Sequence, residues 1–149
     1  MRVHSAVASV LALSLLSSTW AFGQLDVERF KPAEEGALKV IDSVQFEHAS
    51  ANISPDSFVL LDQVALTIKA NPRFKRVSIE GHTDATGPDY ANYLLSWKRA
   101  HAVRRYLIRK GVSPHRLTAR GHGSRQPRVP GNSPAARAQN RRVEFIVQE

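Results

Sequence analysis

The sequence predicts an α+β sandwich in which two main helices pack on a mixed four-stranded sheet, with elements in the order βαβαββ. Two segments, 58–68 and 95–107, repeat apolar residues at helical intervals. The segments 76–80 and 142–148 alternate apolar and polar residues, which is typical of strands with one buried face. Gly, Pro and Asn separate these segments, and residues 24–149 are enough for one such domain.

Residues 1–23 are predicted to be a signal peptide rather than part of the fold. Arg2 precedes an apolar stretch from Ala6 to Leu16, and Ala21 and Gly23 place small residues at the two positions that a signal peptidase reads. Cleavage is therefore expected after Gly23. The alternative is a retained membrane anchor, but serines interrupt the apolar stretch before it reaches the roughly 20 residues that a spanning helix needs.

The absence of Cys and the net charge restrict the ways in which the protein can be anchored and the ligands that it can attract. With no Cys, the chain is expected to contain no disulfide and no lipid-modified cysteine. Together with the signal, this predicts a soluble exported protein that carries no lipid anchor and, once the signal is cleaved, no membrane span. The formal net charge of +8 favours polyanions such as anionic lipid, an acidic wall polymer or nucleic acid, and nucleic acid is the least expected for an exported chain.

The first elements are assigned from the amino end onward. Residues 24–37 are polar, contain Pro and Gly, and are predicted to be a flexible leader. Residues 38–46 predict the first strand. Ser54-Pro55 is typical of a helix start and Asn71-Pro72 of a helix end, so the first helix is expected between them.

The carboxyl-terminal half continues the alternation of strands and helices. Residues 76–80 predict the second strand, which runs into Gly81-His82-Thr83-Asp84. A long helix is expected from Asp89 to Lys110, where Gly111 ends it. The later segments are a third strand at 116–120, a Gly- and Pro-rich loop at 121–133, a short helical turn at 135–139 and a fourth strand at 142–148.

Polar residues of opposite charge are predicted to meet beside the turn that follows the second strand. Asp84 lies in that turn between Gly81 and Gly87, which permit tight backbone turns. Asn92 and Arg99 are seven residues apart, about 20° around a helix axis, and therefore share one face of the second helix. An Arg fork holds a carboxylate and a carboxylate holds an ammonium, so this set suits a zwitterion such as the α-amino-acid end of a peptide.

Each of these residues also has an ordinary structural explanation. Asp84 is of a residue type that commonly stabilises turns. Arg99 has Glu80 and Glu144 as candidate partners for a structural ion pair. The alternative for Asn92 is a solvent-exposed position on the helix. Opposite charges on one helix face beside a Gly-rich turn are harder to explain structurally than any single member.

Four motifs together resemble the OmpA-like C-terminal domain, the peptidoglycan-binding module of outer membrane protein A, the peptidoglycan-associated lipoprotein and MotB. The motifs are GHTDxxG from Gly81, NxxLSxxRAxxV from Asn92, GxGxxxP from Gly121 and NRRVE from Asn140. The match covers about Leu38 to Val147, nearly all of the chain that follows the predicted signal peptide, and the domain is expected at 38–149. The fold that this resemblance implies agrees with the element order.

The resemblance implies that the domain binds the meso-diaminopimelate of peptidoglycan stem peptides noncovalently. In this chain Asp84 would bind the ligand ammonium, Arg99 would bind its carboxylate, and Asn92 would support the site. Phe46 and Glu47 match a Phe-Asp pair that lines the family's pocket, with Glu in place of the commoner Asp. Phe46 has the alternative role of a core residue.

A second group of residues is expected to support this site: Thr83, Leu95, Asn140 and Arg142. The resemblance implies that Arg142, in the NRR run, organises the pocket or the fold. The role of the preceding Arg141 is left open.

The sequence therefore predicts a non-catalytic periplasmic protein, associated with the wall or the outer membrane, that binds peptidoglycan, supports envelope integrity and uses no cofactor. One alternative is an adaptor whose main ligand is another envelope protein. The other is a metal-dependent wall hydrolase, with His82, Asp84 and His122 as candidate ligands. The histidines lack zinc-site spacing and no convincing Ser-His-Asp set is present, so neither a metal site nor catalytic residues are predicted.

Overall fold

The computed structural model describes residues 30–33, 37–42 and 44–148, and it describes the first two ranges by their backbone alone. The predicted signal peptide and most of the predicted leader lie outside the described residues. Within those ranges, no helix is both long enough and apolar enough to cross a membrane.

One mixed sheet organises the described part of the chain. Its strands are β1 (Phe30–Ala33), β2 (Ala37–Asp42), β3 (Arg76–His82), β4 (Leu117–Gly123) and β5 (Arg142–Gln148). They lie in the order β1-β2-β5-β3-β4, with β3 and β4 parallel and the other neighbours antiparallel. Side chains are described for the last three strands. The predicted fold class is confirmed, but the sheet contains β1 in addition to the four predicted strands.

Three α-helices connect these strands: α1 (Phe58–Ala70), α2 (Asp89–Arg109) and α3 (Pro134–Asn140). The third agrees with the helical turn predicted at 135–139. Gly111 adopts a φ of 88°, and its N–H donates to the Ile108 carbonyl at 2.9 Å, which closes α2 near the predicted end.

The core lies between α1, α2 and one face of the sheet. Strand alternation places Val77 and Ile79 of β3 on the same face as Val143, Phe145 and Val147 of β5. All five are buried, and they pack against buried residues of both helices: Leu61, Val64, Ala65, Ile68, Ala100, Val103, Tyr106 and Leu107. The opposite face therefore carries the polar side chains of the same strands.

Close contact between α2 and the sheet depends on two glycines. A Cβ built on Gly81 would fall 2.3 Å from the Ser96 carbonyl oxygen, and one built on Gly121 would fall 2.4 Å from the Trp97 nitrogen. The glycines therefore let the helix backbone approach the strands. The prediction that β4 ends at 120 is wrong, because Gly121 and Gly123 continue the strand under α2 instead of opening a loop.

The segment after the first predicted strand also differs from the prediction. The strand was expected to reach 46, but β2 ends at Asp42, and Phe46 forms an isolated bridge with Ile53. The Glu47 N–H donates to the Asn52 carbonyl at 3.0 Å, which turns the chain back on itself. We call residues 45–54 the 45–54 loop. Ser57 fixes its start, because its Oγ accepts from the Gln45 N–H at 2.8 Å.

The first helix begins later than the sequence predicts. Pro55–Ser57 forms one 3-10 turn, and the α-helix follows from Phe58. Ser54 precedes that turn, but its side chain makes no capping hydrogen bond. The end of the helix agrees with the prediction, since α1 ends at Ala70 and Asn71 is its extended C-cap residue.

Candidate functional site

A cleft of about 540 Å³ lies where β3 ends against the amino-terminal half of α2. The 45–54 loop forms its opposite wall. The cleft is lined by all five residues that the sequence assigned to ligand binding: Phe46, Glu47, Asp84, Asn92 and Arg99. Thr83 and Leu95, assigned as supporting residues, also line it, and Arg141 joins them.

Asp84 is held from two directions at the base of the cleft. Its Oδ1 accepts from the Thr86 backbone N–H at 2.9 Å, which stabilises the turn after β3. Its Oδ2 accepts from Arg141 Nη1 at 2.8 Å, and the carboxylate side chain is only 12% exposed. Asp84 therefore stabilises the turn, which is the structural role that its residue type suggested. It also presents a fixed negative charge to the cleft.

Two opposing effects set the pKa of Asp84. Burial alone raises the pKa of this carboxyl group, but the hydrogen bonds from Arg141 and Thr86 outweigh burial and hold the pKa below its ordinary value. The carboxylate is therefore ionised at neutral pH.

The lowered pKa of Asp84 predicts an acid-sensitive contribution to stability. A carboxyl group with a lowered pKa in the folded state stabilises the protein above its unfolded pKa, and this stabilisation is lost as the pH falls through the folded value. We expect the melting temperature of wild type to exceed that of Asp84→Asn above pH 3.8, and the difference to shrink as the pH falls below 3.8. Thermal unfolding followed by circular dichroism across this range measures the difference. A difference that stays constant with pH contradicts the prediction.

Arg99 projects from α2 against the 45–54 loop. Its Nε donates to the Ser50 carbonyl at 3.0 Å, and its guanidinium carbon lies 4.8 Å from the centre of the Phe46 ring. These contacts orient the guanidinium group by a hydrogen bond and a cation–π interaction. Among the described residues, Glu80 pairs with His122, and Glu144 pairs with Arg142 and His82, whereas the contacts found for Arg99 are with the 45–54 loop.

The charges of Arg99, Arg141 and Asp84 influence one another within the cleft. Burial lowers the pKa of Arg99, the neighbouring Arg141 cation lowers it further, and Asp84 opposes both. An arginine nevertheless stays charged in a protein. Two guanidinium groups therefore lie in the cleft with one carboxylate at its base, and the carboxylate of Glu47 faces them from the opposite wall.

Asn92 supports the turn that carries Asp84. It is buried on α2, and its Nδ2 donates to the Thr86 carbonyl at 3.0 Å. Together with the Asp84–Thr86 bond, this contact fixes both sides of Thr86. The structure thus gives Asn92 a positioning contact within the lining of the cleft.

Phe46 and Glu47 form the wall opposite α2. Phe46 packs partly against the core and partly under Arg99, so its two proposed roles are compatible. Glu47 is exposed, and its Oε2 accepts from Asn52 Nδ2 at 2.9 Å within the same loop. Its carboxylate therefore lies at the rim of the cleft.

Asn140 and Arg142 do not line this cleft. The Oδ1 of Asn140 accepts from the Arg128 and Val129 N–H groups, which fixes the loop before α3. Arg142 is buried, donates to Glu144 Oε1 at 2.7 Å and lines an adjoining cavity of about 300 Å³. Both residues thus stabilise the surroundings of the cleft.

Sequence reasoning missed the contact of Arg141 with Asp84. β3 and β5 are antiparallel, and His82 pairs with Arg142. The residue just before β5 therefore lies beside the chain just after β3, which brings Arg141 to Asp84. The sequence contains the NRR run, but it does not show the β3–β5 register. That register places Arg141, the second residue of the run, beside Asp84.

The fold and the cleft together define a small α+β binding domain whose site combines one buried carboxylate with two guanidinium groups. A model of the OmpA family matches residues 45–141, and the chain belongs to this family. The resemblance drawn from the GHTD, LSxxRA and NRR motifs is thereby confirmed.

Relatives of the chain include proteins that are named for peptidoglycan. It is 42% identical to a peptidoglycan-associated lipoprotein of Pseudomonas putida over 76% of this chain and 67% of that protein. It is 38% identical to the peptidoglycan-binding protein ArfA of Mycobacterium tuberculosis over 70% of this chain, but it spans only 32% of ArfA.

Solved structures share the fold. The periplasmic domain of Helicobacter pylori MotB superposes with a TM-score of 0.69 at 30% identity, covering 80% of each chain. The peptidoglycan-associated lipoprotein of Burkholderia pseudomallei gives a TM-score of 0.65 at 32% identity, covering 76% of this chain and 91% of that one.

Proposed function

We propose that this protein is a non-catalytic periplasmic protein that binds peptidoglycan by recognising the meso-diaminopimelate of its stem peptides. The observation that supports this most directly is the meeting of Asp84, Arg99 and Arg141 at one cleft. Membership of the OmpA family and the peptidoglycan-related names of the relatives support the same polymer as ligand. Association with the wall or the outer membrane follows from the proposal.

The charges of the cleft suit a free amino-acid end. Its ammonium group would bind Asp84, and its carboxylate would bind Arg99 by charge-assisted hydrogen bonds. Glu47 and Asp84 balance Arg99 and Arg141 in formal charge, which matches a zwitterion better than a simple anion. A neutral amide or hydroxyl at this position would leave a buried charge without compensation.

Arg141 gives the proposed binding reaction a defined exchange of partners. Arg141 donates to Asp84 Oδ2, where the ligand ammonium would bind. The ammonium would replace Arg141 at this carboxylate. The released Arg141 side chain, which is 48% exposed, would then turn to the ligand carboxylate beside Arg99.

Thr83 offers a neutral contact in the same cleft. Thr83 is only 5% exposed, and its Oγ1 has no hydrogen-bond partner among the described residues. A buried hydroxyl without a partner costs free energy, which a ligand can recover by bonding to it. Thr83 would therefore contribute to affinity beyond its structural role after β3.

The proposal predicts that Arg99→Ala abolishes most binding to sacculi. We expect purified wild-type protein to pellet with sacculi and free meso-diaminopimelate to compete with this binding. Arg99→Ala should weaken binding by at least about thirtyfold, since losing one partner of a desolvated charge pair costs about 2 kcal/mol or more. Arg105→Ala is the matched control, because it removes the same charge from an exposed position of α2.

The pelleting assay separates the competing functions. Wild-type retention by Arg99→Ala, or binding that meso-diaminopimelate does not displace, would refute the proposed site. An equal loss in Arg105→Ala would attribute binding to general positive charge, which salt screens. Release of soluble muropeptides from the sacculi would instead indicate a hydrolase.

A further inference from the structure

A second cluster of chemically active side chains lies outside the set that lines the cleft, on the face of the sheet opposite the helices. Glu80 and His82 belong to β3 and His122 belongs to β4. One potential ligand atom from each of the three residues lies within 4.8 Å of the other two. Glu80 Oε2 and His122 Nε2 are 3.1 Å apart, and the rings of His82 and His122 stack with centres 5.0 Å apart.

An irregularity of the β3–β4 pairing places His122 in this cluster. Gly81 pairs with Gly121, but His82 pairs with Gly123, so His122 is an extra residue in β4. A bulge of this kind re-aims a side chain. The backbone thereby brings together two imidazoles that are 40 positions apart in sequence.

Carboxylates of neighbouring strands flank the cluster, and Arg120 of β4 lies in register beside Glu80. Glu80 of β3 lies directly opposite Glu144 of β5, and like charges in this arrangement repel. Arg142 donates to Glu144 Oε1 at 2.7 Å and so compensates that carboxylate. Glu144 Oε2 lies 3.9 Å from His82 Nε2, which leaves Glu80 as the carboxylate nearest to His122.

We propose that Glu80, His82 and His122 bind one Zn²⁺ ion. Zinc takes imidazole nitrogen and carboxylate oxygen at about 2.0–2.2 Å, whereas Mg²⁺ and Ca²⁺ take sets of oxygen ligands. Tetrahedral ligands of zinc lie about 3.3 Å from one another, and the Glu80–His122 pair already has this spacing. The rings of His82 and His122 lie within 16° of parallel, so binding requires the partly exposed His122 ring to rotate until its Nε2 points at the ion.

The proposed ion would cross-link β3 to β4, the strand at the edge of the sheet. A ligand that binds only the folded protein raises its stability. The role is therefore structural. Neither Glu80 nor His122 lines the cleft, but His82 directly precedes Thr83, which does, and lines the adjoining cavity together with Phe46, Arg99 and Arg141.

Titration of tag-free, chelator-treated protein with ZnCl₂ tests the site. We expect calorimetry to give one ion per chain and saturating Zn²⁺ to raise the melting temperature by about 5 °C or more. His122→Ala and Glu80→Gln should each weaken the zinc affinity at least about tenfold. His115→Ala, which removes an exposed histidine outside the cluster, should bind zinc like wild type.

Cobalt provides a second readout that does not depend on stability. Co²⁺ bound with tetrahedral geometry gives intense visible absorption, which we expect in wild type and not in His122→Ala. Absence of a zinc-induced rise in melting temperature would overturn the proposal. Equal zinc affinity in wild type and in both cluster variants would do the same, because it would assign the ion to other histidines.

Discussion

Asp84→Asn is expected to weaken binding to sacculi by at least about thirtyfold, corresponding to about 2 kcal/mol or more. The substitution removes the charge that the ligand ammonium would contact and keeps the shape of the side chain. The amide oxygen of Asn can still accept from the Thr86 N–H, so the turn after β3 should remain folded. Pelleting with sacculi at neutral pH, with circular dichroism to confirm folding, measures the effect.

Asp89→Asn is the matched control for this experiment. Asp89 is an exposed carboxylate at the first position of α2, five residues from Asp84, and it does not line the cleft. It should bind sacculi like wild type. If folded Asp84→Asn also binds like wild type, the carboxylate is not the ammonium site and the proposed function loses its central contact.

Gly81→Ala is expected to destabilise the fold by about 3 kcal/mol, the upper end of the usual cost of overpacking. The new methyl group would lie 2.3 Å from the Ser96 carbonyl oxygen and 3.0 Å from its carbon. These are backbone atoms, which cannot rotate away as a side chain can. α2 must therefore separate from β3, and the buried contacts between them are lost. Equilibrium unfolding in guanidinium chloride measures the free energy.

Gly131→Ala supplies the comparison for Gly81→Ala. Gly131 has a φ of 93°, but a Cβ there would meet no atom within 4 Å. Its cost should therefore be the backbone strain alone, about 1–2 kcal/mol. A loss in Gly81→Ala no larger than in Gly131→Ala would show that α2 accommodates the methyl group without leaving the sheet.

Because α2 carries Asn92 and Arg99, its displacement should also impair the cleft. The Arg99 side chain reaches from α2 across the cleft to Ser50 and Phe46 of the 45–54 loop. A small shift of the helix would break its 3.0 Å hydrogen bond to the Ser50 carbonyl. The glycine of the GHTD motif thus supports the site through packing rather than through ligand contact.

Sequence patterns predicted best those features that depend on neighbouring residues. The bounds of β5 and the start of α2 agree with the prediction, because alternation and helical periodicity are local properties. The predicted end of β4 at residue 120 was too early, because glycine in a sequence usually indicates a loop. That Gly121 instead lies under α2 is known only from the packing of the helix. The end of β2 was misplaced because the Phe46–Ile53 bridge depends on how the 45–54 loop folds back.

The sequence by itself determined the family, the fold class and the shared helix face of Asn92 and Arg99, since the period of 3.6 residues fixes that geometry wherever the helix lies. Only the tertiary structure decided which groups meet across long separations. Arg141 reaches Asp84 from 57 residues away, and Arg99 reaches Ser50 across 49. Strand register and loop closure set these contacts, and the pairing of β3 with β4 likewise joins His82 and His122, for which the sequence predicted no metal site.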